Sequence, residues 1–131
     1  LGWVAVDEVE QLNVYRASLL AMERALEAAT ALVEIDHLLV DARRIPSFRG
    51  DQSVLIGGDG LSASIGAASI VAKVARDAFM VAAGEQHPEY GFERHKGYGT
   101  AGHREALSRW GPSPLHRASF LPREPVQLTL L

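Results

Sequence analysis

Two aspartates follow short apolar runs, at positions typical of strand ends. Residues 38–40 (Leu-Leu-Val) lead into Asp41, and residues 54–56 (Val-Leu-Ile) lead through a glycine pair to Asp59. In open α/β sheets, reactive groups gather in the crevice beyond the strand ends. Carboxylates clustered there can hold a divalent metal, which neutralises the charge that develops during phosphodiester hydrolysis. Taken alone, each aspartate is more typical of a turn or a cap.

A phenol lies between two glycines in the run His95-Lys96-Gly97-Tyr98-Gly99-Thr100. Glycines let the main chain approach a ligand without a Cβ in the way. Lys96 can then lie against a phosphate while the Tyr98 ring packs on a sugar and its hydroxyl meets a sugar hydroxyl. The loop therefore predicts a contact with a sugar-phosphate backbone. The alternative is a glycine-rich turn that holds a half-buried tyrosine.

The hydrophobic pattern predicts an α/β protein of helix, strand, strand, helix, glycine-rich loop and helix. Apolar residues recur at helical spacing at positions 12, 15, 19, 22 and 26, which indicates a core-facing stripe on the first helix. His87-Pro88 ends the long second helix, and Gly111-Pro112 follows the last one. The predicted helices cover residues 7–29, 64–83 and 100–110, and the predicted strands cover 38–41 and 54–56.

Taken together, these motifs resemble ribonuclease HII, the type 2 ribonuclease H family. The resemblance extends up to about Phe120 and implies an α/β, ribonuclease H-like fold, with a catalytic-domain portion over 1–121 and an extended tail over 122–131. The matching segments, in the family's order and spacing, are Glu8-Val9-Glu10-Gln11-Leu12-Asn13, Leu39-Val40-Asp41, Gly57-Gly58-Asp59, the stretch from Ala67 to Asp77, Tyr90-Gly91-Phe92 with the tyrosine loop, and the stretch from Gly111 to Phe120.

One part of the family's pattern has no counterpart in this sequence. The family's chain begins with a strand that carries an Asp-Glu pair followed by a Gly-Arg-Gly turn. Asp7-Glu8 lacks that turn and instead indicates a helix start, where negative charge meets the positive end of the helix dipole. The fold is therefore expected to be incomplete, with two remaining sheet strands packed by helices and half of the acidic cluster absent.

The resemblance implies an enzyme that uses Mg²⁺ or Mn²⁺ and cleaves RNA in RNA–DNA hybrids, including a lone ribonucleotide in duplex DNA. The family's third and fourth acids fall on Asp41 and Asp59, as metal ligands and catalytic residues, and two carboxylates could retain one weakly held ion. Tyr98 falls on the tyrosine that packs at the junction sugar. Further candidates for substrate contact are Lys96, Ser69 and Lys73, with Asp77 as an outer-shell carboxylate. Surface ion pairing of Lys73 and Asp77 is the alternative, as is a structural role for Ser69.

Composition indicates one compact unit in the cytoplasm. The 131 residues are 47% hydrophobic, include no cysteine and carry a net charge of -3. Any duplex binding must then come from local cations, and disulfides are excluded. Mean hydropathy near zero argues against a membrane span. The five histidines lack metal-ligand spacing. His37, His87 and His103 are interpreted as surface or packing residues, and His95 and His116 lie in family-like segments with no catalytic role assigned.

Two apolar strands cannot make a stable sheet alone, so we expect a partner segment to supply neighbouring strands, or an apolar edge that self-associates. The tail provides a separate prediction, because Gln127, Leu128, Leu130 and Leu131 resemble the short peptide by which bacterial replication and repair proteins dock on the sliding clamp. A packed or disordered terminus is the alternative. The competing functions are a non-catalytic nucleic-acid or clamp-binding remnant and a purely structural partner for another chain's sheet.

Overall fold

The computed structural model describes residues 1–121 and has the predicted α/β character. The clamp-like residues Gln127, Leu128, Leu130 and Leu131 lie outside the described part of the chain. Short 3-10 turns occur at Pro88–Tyr90 and Ala118–Phe120. The helices and strands are α1 (Val6–Thr30), β1 (His37–Asp41), β2 (Asp51–Leu55), α2 (Gly58–Leu61), α3 (Ala63–Gln86), α4 (Phe92–His95) and α5 (Ala101–Trp110).

The two strands are parallel and in register from His37 opposite Asp51 to Asp41 opposite Leu55. Their carboxyl ends therefore meet at one edge of the sheet. The second strand begins three residues before the predicted start and ends one residue earlier. Its polar beginning is held in place by Gln52, whose side chain exchanges two hydrogen bonds with the backbone of Ile45, at 2.8 and 3.0 Å.

The sheet is covered on one face only. Val40 is buried beneath α3, whereas Leu39 points to the opposite face and is 46% exposed. Ile56, which follows β2, is 85% exposed. Within residues 1–121, the apolar surface of the sheet is therefore only partly covered. On α3, which covers the other face of the sheet, Ile70, Val71 and Val74 are also exposed.

The first helix is broken at Asn13, so the prediction of one continuous helix is wrong. Asn13 has φ 66° and ψ 163°, and its side chain accepts a hydrogen bond from the Arg16 amide (3.1 Å), which starts a second helical segment. Glu8 and Arg24 form a two-pronged ion pair with distances of 2.6 and 3.0 Å. A continuous helix would hold these residues about 24 Å apart, so the chain reverses direction at Asn13.

The predicted apolar stripe of α1 is only partly buried. Leu12, Leu19, Met22 and Leu26 are half-buried, and Ala17 is the residue of this helix that is fully buried. Tyr15 is exposed, with the guanidinium of Arg43 at 4.4 Å from its ring centre. The helix therefore stacks loosely on the rest of the described chain. None of the helices within residues 1–121 is long and apolar enough to cross a bilayer.

The main core lies beneath the tyrosine loop, where α3, α4 and α5 meet. Phe92 is 1% exposed and stacks on Tyr90, with ring centres 5.3 Å apart. Met80 and Ala106 close the cluster from α3 and α5. The Tyr90 hydroxyl donates to the Gly111 carbonyl at 2.8 Å, which attaches the chain after α5 to this core. The loop that carries Tyr98 therefore rests on the best-packed part of the described chain.

Candidate functional site

A hydrogen bond from the turn after β2 joins the two predicted acidic positions. The Gly58 amide donates to Oδ1 of Asp41 at 2.9 Å. Because Gly58 immediately precedes Asp59, this bond places the Asp41 carboxylate at the first turn of α2, which carries Asp59. Asp59 is exposed, and its Oδ1 accepts from the Gly60 amide at 3.0 Å. The second oxygen of each carboxylate is left for a ligand at the same sheet edge.

Glycines make this close approach feasible. Gly57 has a left-handed φ of 69°, which a residue with a side chain rarely adopts. Gly58 is buried, and a Cβ on it would lie 2.6 Å from Cδ1 of Ile65 and 3.2 Å from Cβ of Leu55. Gly66 of α3 is equally tight, because a Cβ there would lie 3.0 Å from the Asp59 carbonyl oxygen. The acidic turn is therefore held between β2 and α3.

The donor set suits a hard divalent cation held by few protein ligands. Carboxylate oxygens are the ligands that Mg²⁺ prefers, and Mg²⁺ commonly keeps several waters. Within residues 1–121, no group of three His, Asp or Glu side chains is arranged to hold a metal ion. The two aspartates fit such an ion as a partial shell, so the remaining ligands must be water or groups from elsewhere.

A second group of predicted residues gathers around Tyr98, on the α3 side of the loop. Tyr98 is 59% exposed, and the Arg76 guanidinium lies 5.1 Å from its ring centre. Arg76 also donates to the Lys96 carbonyl at 2.9 Å, which ties the loop to α3. The sequence indicated Arg76, like Lys73, as a cation on the helix after Asp59, with substrate contact and surface pairing as alternatives. Its position against an aromatic side chain could be identified only from the folded chain.

Lys73 and Asp77 form an ion pair on α3, the arrangement expected of residues four apart on a helix. The hydrogen bond from Lys73 lowers the pKa of Asp77, and the same bond raises the pKa of Lys73. Asp77 thus lies with the basic group around Tyr98, where Arg76 is also near it at 3.8 Å. Ser69 is exposed on the same helix.

The loop itself is closed by left-handed residues. Lys96 has φ 51° and its ammonium donates to the Glu93 carbonyl, so it turns back on α4. Gly97 has φ 81°, and a Cβ on it would lie 3.3 Å from Cε of Met80. The predicted need for glycine therefore holds at Gly97. A Cβ on Gly99 would meet open space.

The long helix α3 sets the separation between the acidic and basic groups. Gly66 contacts the Asp59 turn, and Lys73 lies two turns further along the same helical face. At the rise of an α-helix, seven residues correspond to about 10 Å. The acidic turn and Lys73 therefore lie one after the other along the same side of α3.

Three histidines lie directly behind Tyr98. His103 is buried, and its Nδ1 is 3.0 Å from the Tyr98 carbonyl oxygen. Its Nε2 is 2.9 Å from Nε2 of His116, and its ring stacks on His95 with centres 4.3 Å apart. The sequence indicated a surface or packing role for His103. The spacing of thirteen residues between His103 and His116 carries no pattern by which the pair could have been found.

The described chain is thus an α/β unit. Two carboxylates follow the ends of its parallel strands, and an exposed tyrosine in the loop after α4 lies beside cations of α3. The sequence of the chain matches the family model described as Ribonuclease HII over residues 3–122. The chain belongs to the ribonuclease HII family, which confirms the resemblance.

Curated relatives agree with this assignment. Ribonuclease HII of Paramagnetospirillum magneticum is 49% identical over 121 residues, which covers 92% of this chain and 59% of that protein. The Moorella thermoacetica protein is 52% identical over 120 residues, covering 92% and 57%. The Halorhodospira halophila protein is 49% identical over 123 residues, covering 93% and 63%. The chain therefore spans about three fifths of the length of these curated relatives.

Proposed function

We propose that this chain carries part of the site of a divalent-metal-dependent endoribonuclease. Its substrates are the RNA strand of RNA–DNA hybrids and single ribonucleotides embedded in duplex DNA. The observation that supports this most strongly is the Gly58–Asp41 hydrogen bond, because it draws one family acid to the turn that carries the other. Membership of the ribonuclease HII family supports the reaction class.

In this proposal Asp41 and Asp59 hold Mg²⁺ or Mn²⁺ through the carboxylate oxygens not engaged by backbone amides. The ion would neutralise charge on the phosphoryl and leaving oxygens of the cleaved phosphodiester. Gly58 restrains the Asp41 carboxylate, so less freedom is lost when an ion binds. Replacement by asparagine preserves the hydrogen bond to Gly58 and removes the charge, which makes Asp41→Asn a clean test.

Tyr98 and its neighbours serve as the substrate-positioning side of the site. The exposed ring offers a flat surface to a sugar, with Arg76 close to the ring. Lys73, Arg76 and Lys96 supply local positive charge on a chain whose net charge is -3. A separation of about 10 Å along α3 would place Lys73 further along the bound strand than the two acids. Lys73 would thus contact the backbone on one side of the cleaved bond.

The proposed enzyme also needs a covering segment. Leu39 of β1 and Ile56, which follows β2, expose apolar surface that the described residues do not cover. We propose that a segment with an Asp-Glu pair and a Gly-Arg-Gly turn packs there and adds the remaining acids. Without it, the chain is expected to self-associate and to cleave weakly or not at all.

The experiment compares the 131-residue chain alone with the complemented chain, meaning the same chain fused to or mixed with a segment that carries an Asp-Glu pair and a Gly-Arg-Gly turn. Each is incubated with Mg²⁺ or Mn²⁺ and duplex DNA that contains one ribonucleotide. We expect cleavage only by the complemented chain, and a loss of about 100-fold or more in Asp41→Asn and Asp59→Asn. Asp51→Asn is the matched control, because Asp51 lies at the opposite end of β2 and should leave cleavage unchanged.

Two outcomes would contradict the proposal. Full cleavage by Asp41→Asn and Asp59→Asn would show that these acids are not the metal ligands. Tight binding of the duplex with no cleavage after complementation would instead support the non-catalytic nucleic-acid remnant.

A further inference from the structure

The proposed chemistry makes no use of the histidines behind Tyr98. His103 is 6% exposed and lies in α5, and His116 follows the turn after that helix. Both rings pack on Phe92, with ring centres 5.7 and 5.4 Å from it. Imidazoles buried in an aromatic cluster need hydrogen-bond partners, and these two have partners at every ring nitrogen.

The hydrogen bonds allow one arrangement of protons. The Ser113 amide donates to Nδ1 of His116 at 2.9 Å, and the Ser113 hydroxyl lies 2.8 Å from the same nitrogen. Because a backbone amide can only donate, this nitrogen carries no proton, and the hydroxyl donates to it as well. A neutral His116 therefore carries its proton on Nε2 and donates to Nε2 of His103 at 2.9 Å. His103 must then carry its proton on Nδ1, which faces the Tyr98 carbonyl at 3.0 Å. In each of these hydrogen bonds, the donor is on the Ser113 side and the acceptor is on the Tyr98 side.

Protonation of either ring would break this order. A second proton on His103 would oppose the Nε2 proton of His116, and one on His116 would oppose the Ser113 amide. The titratable and charged groups facing the pair are His95 of α4, and His87, Glu89 and Tyr90 at the turn after α3. Burial lowers the pKa of both His103 and His116, which favours the neutral forms.

We propose that Ser113, His116 and His103 form a positioning relay for Tyr98, which holds the phenol ready for the ribonucleotide sugar only while both imidazoles are neutral. The Tyr98 carbonyl accepts from the relay at 3.0 Å and from the Thr100 amide at 2.8 Å, and the Tyr98 amide donates to the His95 carbonyl at 2.8 Å. The side chain between these anchors is exposed. The inference rests on the proposed function for its substrate, and the relay geometry stands apart from it.

The first test reads the protons directly and needs no substrate. Nitrogen NMR of histidine-labelled complemented chain at about pH 8 should show His103 with its proton on Nδ1 and His116 with its proton on Nε2. Imidazole in water favours the Nε2 form, so the His103 signal is the diagnostic one. A His103 proton on Nε2 would overturn the relay whether or not the complemented chain cleaves any duplex.

The second test uses kinetics on a duplex with one ribonucleotide. His103→Ala should raise KM about three- to tenfold with a much smaller change in kcat, because one hydrogen bond that positions Tyr98 is lost. His103→Asn should restore most of the loss, since its amide can donate to the Tyr98 carbonyl. His37→Gln on β1, remote from the loop, should leave both parameters unchanged. An unchanged KM in His103→Ala, or a kcat effect alone, would overturn the role.

The pH dependence supplies a readout that a purely structural histidine would not change. KM of the parent should rise in acid, at a pH below the usual titration range of imidazole, because burial lowers the pKa of both His103 and His116. His116→Gln can still donate to His103 and cannot become charged, so its KM should rise less in acid. Identical pH profiles of KM for the parent and His116→Gln would contradict the relay. So would loss of the rise of KM in acid when His37 is replaced in His37→Gln.

Discussion

Replacement of Gly58 with alanine tests whether close packing of the acidic turn brings the two aspartates together. The added methyl group would lie 2.6 Å from Cδ1 of Ile65 and 3.2 Å from Cβ of Leu55. The Ile65 atom ends a flexible side chain and can rotate away. The Leu55 Cβ is fixed by the backbone of β2 and must shift by a few tenths of an ångström. Overpacking typically lowers the free energy of unfolding by about 1–3 kcal/mol. Because the Ile65 side chain can move aside, we expect a loss of about 1–2 kcal/mol for Gly58→Ala.

Gly60→Ala is the matched control, two residues away in the same turn. A Cβ at Gly60 meets no atom within 4 Å, so the substitution should stabilise the chain by about 0.4–1 kcal/mol through the unfolded state. Urea unfolding of the complemented chain, followed by circular dichroism, should therefore separate the two variants by roughly 1.4–3 kcal/mol.

The same pair of variants links packing to the metal site. In Gly58→Ala, the added methyl group should move the turn away from β2 and weaken the hydrogen bond from the Gly58 amide to Asp41. The affinity for Mn²⁺ should therefore fall about three- to tenfold in Gly58→Ala and stay unchanged in Gly60→Ala. Equal stability of the two alanine variants, or equal affinity for Mn²⁺, would refute the reasoning that the tight turn is what aligns the acids.

Three further predictions concern the core, an ion pair and the tail. Phe92→Ala should lose about 3–5 kcal/mol in urea unfolding because Phe92 is the fully buried ring of the main core, whereas exposed Phe120→Ala should change stability by less than about 1 kcal/mol; similar losses would contradict the core assignment. The hydrogen bond from Arg24 lowers the pKa of Glu8 from 4.5 to about 2, so its stabilisation is present above pH 4.5 and is lost as pH falls towards 2. Thermal melts across that range should therefore decline less steeply in Glu8→Gln, and parallel curves would argue against the pair. Deletion of residues 127–131 should abolish binding to an immobilised sliding clamp and preserve cleavage by the complemented chain, and unchanged clamp binding would exclude the tail as the docking peptide.

The sequence predicted the acidic edge because apolar runs followed by aspartate are local patterns. Asp41 and Asp59 needed only the strand ends to be located correctly, and a shift of β2 by a few residues did not move them. The early start of β2 escaped prediction because residues 51–53 pair through backbone hydrogen bonds, which polar side chains do not reveal.

Features that depend on distant contacts could not be predicted in the same way. Asparagine is only mildly unfavourable within a helix, so nothing local marks Asn13 as a reversal point. The reversal depends on Glu8 meeting Arg24, sixteen residues away. The histidine relay likewise exists only because the turn at Gly111 returns the chain to α5, where the Tyr90 hydroxyl holds it.

In the proposed enzyme, the bare face around Leu39 would give the metal ion a thermodynamic part in assembly. If a second segment covers that face and also contributes acids, the ion binds more tightly to the joined protein than to either piece. Linkage then requires that raising Mg²⁺ or Mn²⁺ strengthens the association of the two pieces, by an amount that grows with the logarithm of ion concentration. Association of the two pieces and binding of the cation would thus be a single coupled equilibrium. Either piece by itself would have little capacity to cut nucleic acid.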